Sequence, residues 1–176
     1  MGEFSKHSLF SNVWQRELKL KRDFRGYFIE EYRRSENPIN IPEFVQDSIS
    51  FSQKNVLRGM HIQTNQWQLI SIISGEVLDI LVGVDPLSDN YLKSAAFSLS
   101  ADGLNQILVG PGVAHGYAVI GDNALIHYKS TVYYGQTIEY GVHWSSALVK
   151  DYWPAQKFII SERDSNFPKL EDTIHS

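Results

Sequence analysis

The sequence predicts an all-β fold, built as a sandwich or a barrel of short strands. Aromatic residues make up 12% of the 176 residues, with nine Phe, nine Tyr and four Trp but only two Met, a composition typical of strands. Short β-type runs separated by Gly, Pro, Asn and Asp fill the middle of the chain, and no helical stripe of convincing length interrupts them. A spacing of about 8–12 residues between such runs is typical of sandwiches and barrels.

The individual strands follow in order from these runs. The first predicted strand covers residues 26–32, and a loop rich in Pro and Asn follows at 35–42. Strands at 69–73 and 76–84 are joined by Ser74-Gly75, which predicts a tight hairpin. Further strands are expected at 95–99, 106–109, 117–120 and 124–134, separated by Gly110-Pro111-Gly112 and Gly121-Asp122-Asn123. One or two short helices are expected in the last quarter of the chain.

Composition and charge limit the classes of function. A net charge of −4 argues against a dedicated nucleic-acid-binding protein, and the lack of cysteine excludes a disulfide framework, a thiolate zinc site and a catalytic thiol. The longest apolar runs fall well short of the ~20 residues that span a membrane, and residues 1–10 do not resemble a signal peptide. We therefore expect a cytoplasmic protein in which residues 1–176 form a single domain.

Two regions contain side chains suited to proton transfer. Arg58 and His61 would point to opposite faces of a regular strand, but a bulge at Gly59 could bring both into one pocket. Tyr128 and Tyr134 share one face if their strand is regular. A structural role is the alternative for each of these residues. A metal site is not expected. Gln63 stands two residues after His61, where an HxH pair of metal ligands would have its second histidine, and two isolated histidines do not make a convincing site.

Eight motifs follow one another through roughly residues 20–165, in the order RGYFIE from Arg25, FVQD from Phe44, VLRGMHIQ from Val56, SGEV from Ser74, PGVAHGY from Pro111, YKSTVYY from Tyr128, EYGVHW from Glu139 and ISERD from Ile160. This ordered set resembles the cupin-fold nucleotide-sugar epimerases, the dTDP-4-dehydrorhamnose 3,5-epimerase family and its 3-epimerase relatives.

The resemblance implies a cupin-type jelly-roll sandwich with short peripheral helices, dimeric through its N-terminal strands. It also implies that a nucleoside-diphosphate 4-keto-6-deoxy sugar is epimerised at C3, or at C3 and C5, in bacterial deoxysugar synthesis without a cofactor. In the family's pattern His61 is the general base, Asp164 is its partner and Tyr128 is the acid on the opposite face of the sugar. A proton α to a ketone is acidic enough for histidine to remove it.

Further residues fall on the family's substrate-binding positions. Arg58, His115 and Arg163 match positions that bind phosphates and sugar, and Arg25 and Glu30 match nucleotide contacts supplied by the neighbouring subunit. The other matching positions line the site: Gln46, Asp47, Ser48, Gln68, Tyr134 and Glu139.

Two of these positions depart from the family's pattern. Gln68 stands where the family usually has a lysine near the developing enolate oxygen, so it offers a neutral hydrogen bond without positive charge. Ser48 replaces a common asparagine near the nucleotide, which leaves dTDP, CDP and GDP sugars open. The alternatives are a 3,4-ketoisomerase on the same fold and a non-catalytic sugar-nucleotide binder.

Overall fold

The computed structural model describes residues 2–136 and 140–173. Its strands are β1 (Ser5–Lys6), β2 (Val13–Glu17), β3 (Leu20–Asp23), β4 (Gly26–Ile29), β5 (Gln46–Gln53), β6 (Leu57–Ile62), β7 (Gln68–Gly83), β8 (Ser94–Ser100), β9 (Asn105–Val109), β10 (Val113–Ser130) and β11 (Tyr140–Gly141). Two short α-helices, α1 (Glu162–Ser165) and α2 (Leu170–Thr173), lie near the C-terminus, and 3-10 turns occupy Arg34–Glu36 and Lys150–Tyr152. The all-β prediction and the late short helices are confirmed.

Two long antiparallel strands, β7 and β10, organise the nine-stranded sheet. The first part of β7 also pairs with β9, and its second part pairs with β8. In the same way β10 pairs first with β6 and then with β5. The long pair therefore belongs to two layers, and one apolar cluster contains residues from both, including Ile70, Leu81, Tyr117 and Ile126. This cluster is the core of a sandwich.

The predicted hairpin at Ser74-Gly75 is wrong. Both sides of Gly75 pair with β10, so β7 is one strand that bends at a glycine with φ +82°. The strands predicted at 117–120 and 124–134 are likewise parts of β10, which ends at Ser130, and the first predicted strand ends at Ile29. Turn chemistry marked the bends correctly but did not reveal which strand lies beside them.

The bends exchange the inward-facing residues of both long strands. On β7 the even-numbered Ile70 and Ile72 face the core before Gly75, and the odd-numbered Val77 and Leu81 face it afterwards. The ladder between β7 and β10 shifts register at the same place, between Val119 and Ala124. Because strand side chains alternate between faces, this shift brings odd residues of one half and even residues of the other into one interior.

The outer faces of both layers are covered by other parts of the chain. The second half of β7 packs Ile80 and Val82 against Trp153 and Leu170 of the C-terminal segment. N-terminal residues cover the other layer in a cluster around Trp14, Ile41, Leu69 and Leu108. Hence both faces of the central strands are buried within one chain.

The hairpin β3–β4 forms a separate two-stranded sheet and exposes large apolar side chains. Phe24 is 98% exposed, and Tyr27 and Phe28 are 63% and 64% exposed. On β5, Ile49 and Phe51 also face outward. Among the described residues, no helix is long and apolar enough to cross a membrane.

Candidate active site

A polar pocket of about 170 Å³ lies where β5, β6, β7 and β10 meet. The exchange of facing residues on β10 lets His115 and Tyr117 share this pocket with Tyr128 and Ser130, which have the opposite parity. The complete lining is Gln46, Ser48, Arg58, His61, Gln63, Gln66, Gln68, His115, Tyr117, Tyr128, Ser130, Val132 and Tyr134.

A histidine and a buried carboxylate form a pair at one side of the pocket. His61 Nε2 lies 2.9 Å from Asp164 Oδ1 and 3.0 Å from Arg163 Nη2. Burial raises the pKa of Asp164, but hydrogen bonds donated by His61 and by the Gly59 amide outweigh it and lower that pKa to about 2. An ionised carboxylate accepts the Nε2 proton and so favours the tautomer with a free lone pair on Nδ1. This imidazole is therefore suited to act as a base.

Asp164 is fixed by two backbone contacts. Its own amide donates to the Oγ of Ser161, the residue that caps α1, at 3.1 Å. Its Oδ2 accepts from the Gly59 amide on β6 at 3.0 Å. The short helix is thereby tied to the strand that carries His61, and the carboxylate is 2% exposed.

The predicted bulge at Gly59 is confirmed. The pairing of β6 with β10 shifts by one residue between His115 and Tyr117, and Arg58 and His61 both line the pocket. At this point the two backbones touch closely, since a Cβ on Gly59 would lie 2.5 Å from the Gly116 Cα. Glycine on both strands permits this contact, which aims both functional side chains inward.

An aromatic ring packs against the His61 ring. Phe167 meets the His61 ring edge to face, with centroids 5.8 Å apart and an interplanar angle of 80°. The ring packs over Gly141, where a Cβ would lie 2.3 Å from it. Gly141 is also the β11 residue in register with His61.

Tyr128 borders the pocket from β10. Burial raises the pKa of its hydroxyl well above the ordinary value, Tyr117 and Asp79 raise it further, and Arg58 opposes them. Arg58 Nε donates to Ser52 Oγ at 3.0 Å, and that oxygen lies 2.9 Å from the Tyr117 hydroxyl. Tyr128 thus stays a neutral proton donor at physiological pH, close to a permanent cation.

A second histidine lies between an amide and a buried acid. His115 Nε2 is 3.0 Å from Gln68 Oε1, and its Nδ1 is 3.5 Å from Asp79 Oδ2. Asp79 is 1% exposed, and burial raises its pKa while His115 lowers it. The bend at Gly75 places Gln68 and Asp79, both on β7, on the same interior side.

The side chains of the site are suited to acid–base chemistry. The described residues contain no cluster of three or more His, Asp or Glu side chains that could hold a metal ion. The site offers the imidazole of His61 as a base, the neutral phenol of Tyr128 on β10, and the guanidinium groups of Arg58 and Arg163. Such a set can remove a carbon-bound acidic proton and return one from another direction, with cations for a phosphorylated ligand.

Comparison with known proteins identifies the chain. The family model described as dTDP-4-dehydrorhamnose 3,5-epimerase matches residues 8–172. The chain belongs to this epimerase family. Among curated relatives, the dTDP-4-dehydrorhamnose 3,5-epimerase of Shigella flexneri is 35% identical over 162 residues, covering 89% of this chain and 90% of the relative.

Solved structures of family members have the same fold. The crystal structure of dTDP-4-dehydrorhamnose 3,5-epimerase from Elizabethkingia anophelis NUHP1 matches with a TM-score of 0.86 at 31% identity, covering 97% of both chains. A dTDP-6-deoxy-D-glucose-3,5-epimerase from Legionella pneumophila Philadelphia 1, solved with dTDP-4-keto-L-rhamnose, gives 0.86 at 29% identity, over 97% of this chain and 93% of that one. The predicted cupin jelly roll and the predicted isomerase-class enzyme are confirmed.

Some residues that match the epimerase pattern lie outside this pocket. Asp47 points to the other face of β5 and pairs with Lys129 at 2.6 Å. Arg25 pairs with Asp23 at the tip of the β3–β4 hairpin, and Glu30 pairs with Arg33. Glu139 lies outside the described residues.

The epimerase pocket, and the side chains in contact with its histidines, include residues that the sequence analysis did not single out. Asp79 and Tyr117 come from the long strands, Phe167 follows α1, and Gln63 and Gln66 lie between β6 and β7. Asp79 had a readable signal, because it is the one carboxylate inside the apolar run 77–84. A buried charge in such a run requires a partner.

Proposed function

We propose that the chain epimerises C3 and C5 of a dTDP-linked 4-keto-6-deoxyhexose in deoxysugar synthesis, through a domain formed by residues 1–176. The observation that carries this proposal is the meeting of the His61–Asp164 pair and the high-pKa Tyr128 at one pocket in a member of this family. The thymidine nucleotide and the two centres follow the names of the relatives.

The chemistry divides into two proton transfers. His61 Nδ1 removes the proton at C3, and the electron pair of the C–H bond delocalises onto the C4 oxygen as an enolate. Tyr128 then donates its proton to the opposite face of the same carbon, which inverts the centre. C5 is also adjacent to the C4 ketone, so the same pair of groups serves it in a second cycle, after His61 has released its proton to solvent and Tyr128 has taken one up. Asp164 keeps the imidazole in the reactive tautomer and stabilises the imidazolium that forms.

The remaining pocket residues, together with Arg163 beside His61, bind the nucleotide sugar in this proposal. Arg58 and Arg163 provide cations for the diphosphate, and Arg guanidinium groups suit phosphate oxygens because several donors lie in one plane. Gln46, Ser48 and Tyr134 contact the nucleotide, and His115 and Gln68 contact the sugar. Asp47 supports these contacts from behind through its ion pair with Lys129. Glu139 remains a prediction of the family resemblance.

The decisive experiment follows hydrogen exchange in heavy water. Incubation with dTDP-4-keto-6-deoxyglucose should place deuterium at C3 and C5, read by NMR of the product. Deuterium at C3 alone indicates a 3-epimerase, and a carbonyl at C3 indicates the ketoisomerase. Absence of exchange, together with a raised melting temperature on dTDP addition, indicates the non-catalytic binder. The His61→Asn variant should bind dTDP and fail to exchange.

A homodimer completes the proposal. The exposed aromatic residues of the β3–β4 hairpin and the apolar outer face of β5 provide surface for a second copy. Arg25, at the hairpin tip, and Glu30 would then reach the neighbouring subunit's nucleotide. The predicted cytoplasmic location remains a prediction.

Mixed dimers test the contribution of Arg25 to the neighbouring site. Arg25→Ala and His61→Asn subunits are each inactive alone if both residues are required. After mixing in equal amounts, half of the dimers are hybrids with one intact site, so about a quarter of wild-type activity should return. No recovery after verified subunit exchange would show that Arg25 does not act across the dimer.

A further inference from the structure

The orientation of the Gln68 amide depends on the protonation of His115 and, through His115, on a proton at Asp79. Its Oε1 lies 3.0 Å from His115 Nε2, and an amide oxygen can only accept. The His115 Nε2 therefore carries a hydrogen. The Gln68 NH2 group makes no hydrogen bond within the described part of the chain, so it is available to a ligand in the pocket that Gln68 lines.

The opposite side of His115 requires a second proton. Nδ1 and both carboxylate oxygens of Asp79 are buried and have no hydrogen-bond partner among the described residues, and Nδ1 lies 3.5 Å from Oδ2. If Asp79 were ionised and His115 neutral with its hydrogen on Nε2, two lone pairs would face each other in a buried region, since Asp79 is 1% and His115 6% exposed. One proton between Nδ1 and Asp79 removes this repulsion, whichever atom holds it.

Removal of that proton reverses the whole chain of hydrogen bonds. The single remaining imidazole hydrogen moves to Nδ1, where the Asp79 carboxylate accepts it. Nε2 then becomes an acceptor, and Gln68 must turn its amide over to donate to it. The amide oxygen now faces the pocket in place of the NH2 group.

We propose that Asp79 and His115 share one proton that holds the Gln68 NH2 group toward the substrate, so that Gln68 donates to the enolate oxygen only while this pair is protonated. The inference rests on the proposed epimerase function for its substrate. An oxygen gaining negative charge is stabilised by a donor held in advance and repelled by a carbonyl. Asp79 is thus a positioning residue that acts through His115 and Gln68.

Other titratable groups near the pair can be distinguished from it. His61 and Arg58 face it from β6, where His61 is in register with His115, and Tyr117 and Tyr128 share its strand. His61 must be neutral to act as a base, so its protonation lowers activity on the acidic side. Arginine stays charged, and the pKa of Tyr128 lies well above its ordinary value. The Asp79–His115 proton accounts for loss of activity on the alkaline side.

The test joins a spectroscopic and a kinetic measurement. In wild-type protein labelled with 15N-histidine, His115, assigned by its absence in His115→Gln, should carry hydrogen on Nε2 at neutral pH and transfer it to Nδ1 at alkaline pH. Over the same range kcat/KM should fall about tenfold per pH unit. In Asp79→Asn no solvent proton is exchanged at this position, so the alkaline fall should disappear. Glu31→Gln, which alters the carboxylate 2.7 Å from His127, is the matched control and should retain it.

The outcomes separate this inference from the proposed function. An unprotonated His115 Nε2 in wild-type protein at neutral pH overturns the inference, even if Asp79→Asn fails to fold. An unchanged alkaline fall in folded Asp79→Asn also overturns it while the epimerase stands. The expected spectrum in a protein without turnover supports the shared proton and rejects the epimerase. Gln68→Met, which removes the amide, should lower kcat at least tenfold and leave the His115 hydrogen on Nε2.

Discussion

Replacing Asp164 by Asn should weaken both the fold and the catalytic base, and the first effect can be estimated from the structure. The pKa of this carboxyl is lowered from 3.8 to about 2 by its contacts. A difference of one unit between the pKa of a group in the folded state and in the unfolded state is worth about 1.36 kcal/mol. The ionised carboxylate therefore stabilises the folded state by about 2 kcal/mol. This contribution is complete above about pH 5 and disappears as the pH falls toward 2, because the unfolded state binds the proton first.

Urea denaturation at a series of pH values measures this contribution. Wild type should exceed Asp164→Asn in free energy of unfolding by about 2 kcal/mol at neutral pH, and the difference should shrink steadily below about pH 5. Glu162→Gln is the matched control, because it removes one exposed carboxylate from the same helix and should change stability by less than about 0.5 kcal/mol. A difference that is absent at neutral pH, or that does not change with pH, would refute the stabilisation argued from the contacts of Asp164.

The same variant tests the role of the carboxylate in catalysis. Asn offers the His61 ring an amide that no longer selects the Nε2–H tautomer or stabilises an imidazolium. The value of kcat should fall on the order of 10²–10⁴-fold, in the range seen when a histidine base loses its carboxylate partner. Wild-type turnover in the folded variant would show that Asp164 has only a structural role.

Three further substitutions test other parts of the site. Tyr128→Phe should retain deuterium exchange at C3, since His61 is intact, but lose inversion, with kcat reduced on the order of 10²–10⁴-fold, whereas the outward-facing Tyr133→Phe should behave like wild type. Gly116→Ala would place a Cβ 2.7 Å from the Arg58 carbonyl oxygen and should cost about 1–3 kcal/mol in urea denaturation, while Gly121→Ala meets no atom within 4 Å and should be neutral. Gly141→Ala should displace the ring that braces His61 and lower kcat/KM about tenfold without a comparable loss of stability; an unchanged kcat/KM would show that this ring does not position the base.

The sequence correctly predicted those parts of the fold that depend on residues close together in the chain. Alternation and turn residues located most strands, and the glycine between Arg58 and His61 predicted their shared direction correctly. The hairpin at Ser74-Gly75 was wrong because a glycine with positive φ serves equally in a turn and in a bend, and only the pairing of both halves with β10 distinguishes them. That pairing joins residues far apart in sequence.

In the candidate site too, the sequence predicted what depends on local motifs and not what depends on residues far apart in the chain. The ordered motifs predicted roles for His61, Tyr128 and Asp164, and the structure brings these side chains to one pocket or into contact with it. Asp47 shows the limit, because its neighbours Gln46 and Ser48 face the pocket and strand alternation turns it away. Asp79 stands out in its apolar run, but its contact with His115 could not be predicted, because that contact depends on the exchange of facing residues at the bends.

The two bent strands also determine how the site responds to destabilising substitutions elsewhere in the chain. Tyr128 is on a stretch of β10 hydrogen-bonded to β5 on one side and β7 on the other, and His115 lies between β6 and β7. Amide protons at both positions should exchange with solvent only when the whole sheet opens. Local unfolding around Tyr128 and His115, separate from unfolding of the sheet, is therefore not expected. Substitutions far from the pocket should then reduce activity only in proportion to the fraction of unfolded molecules.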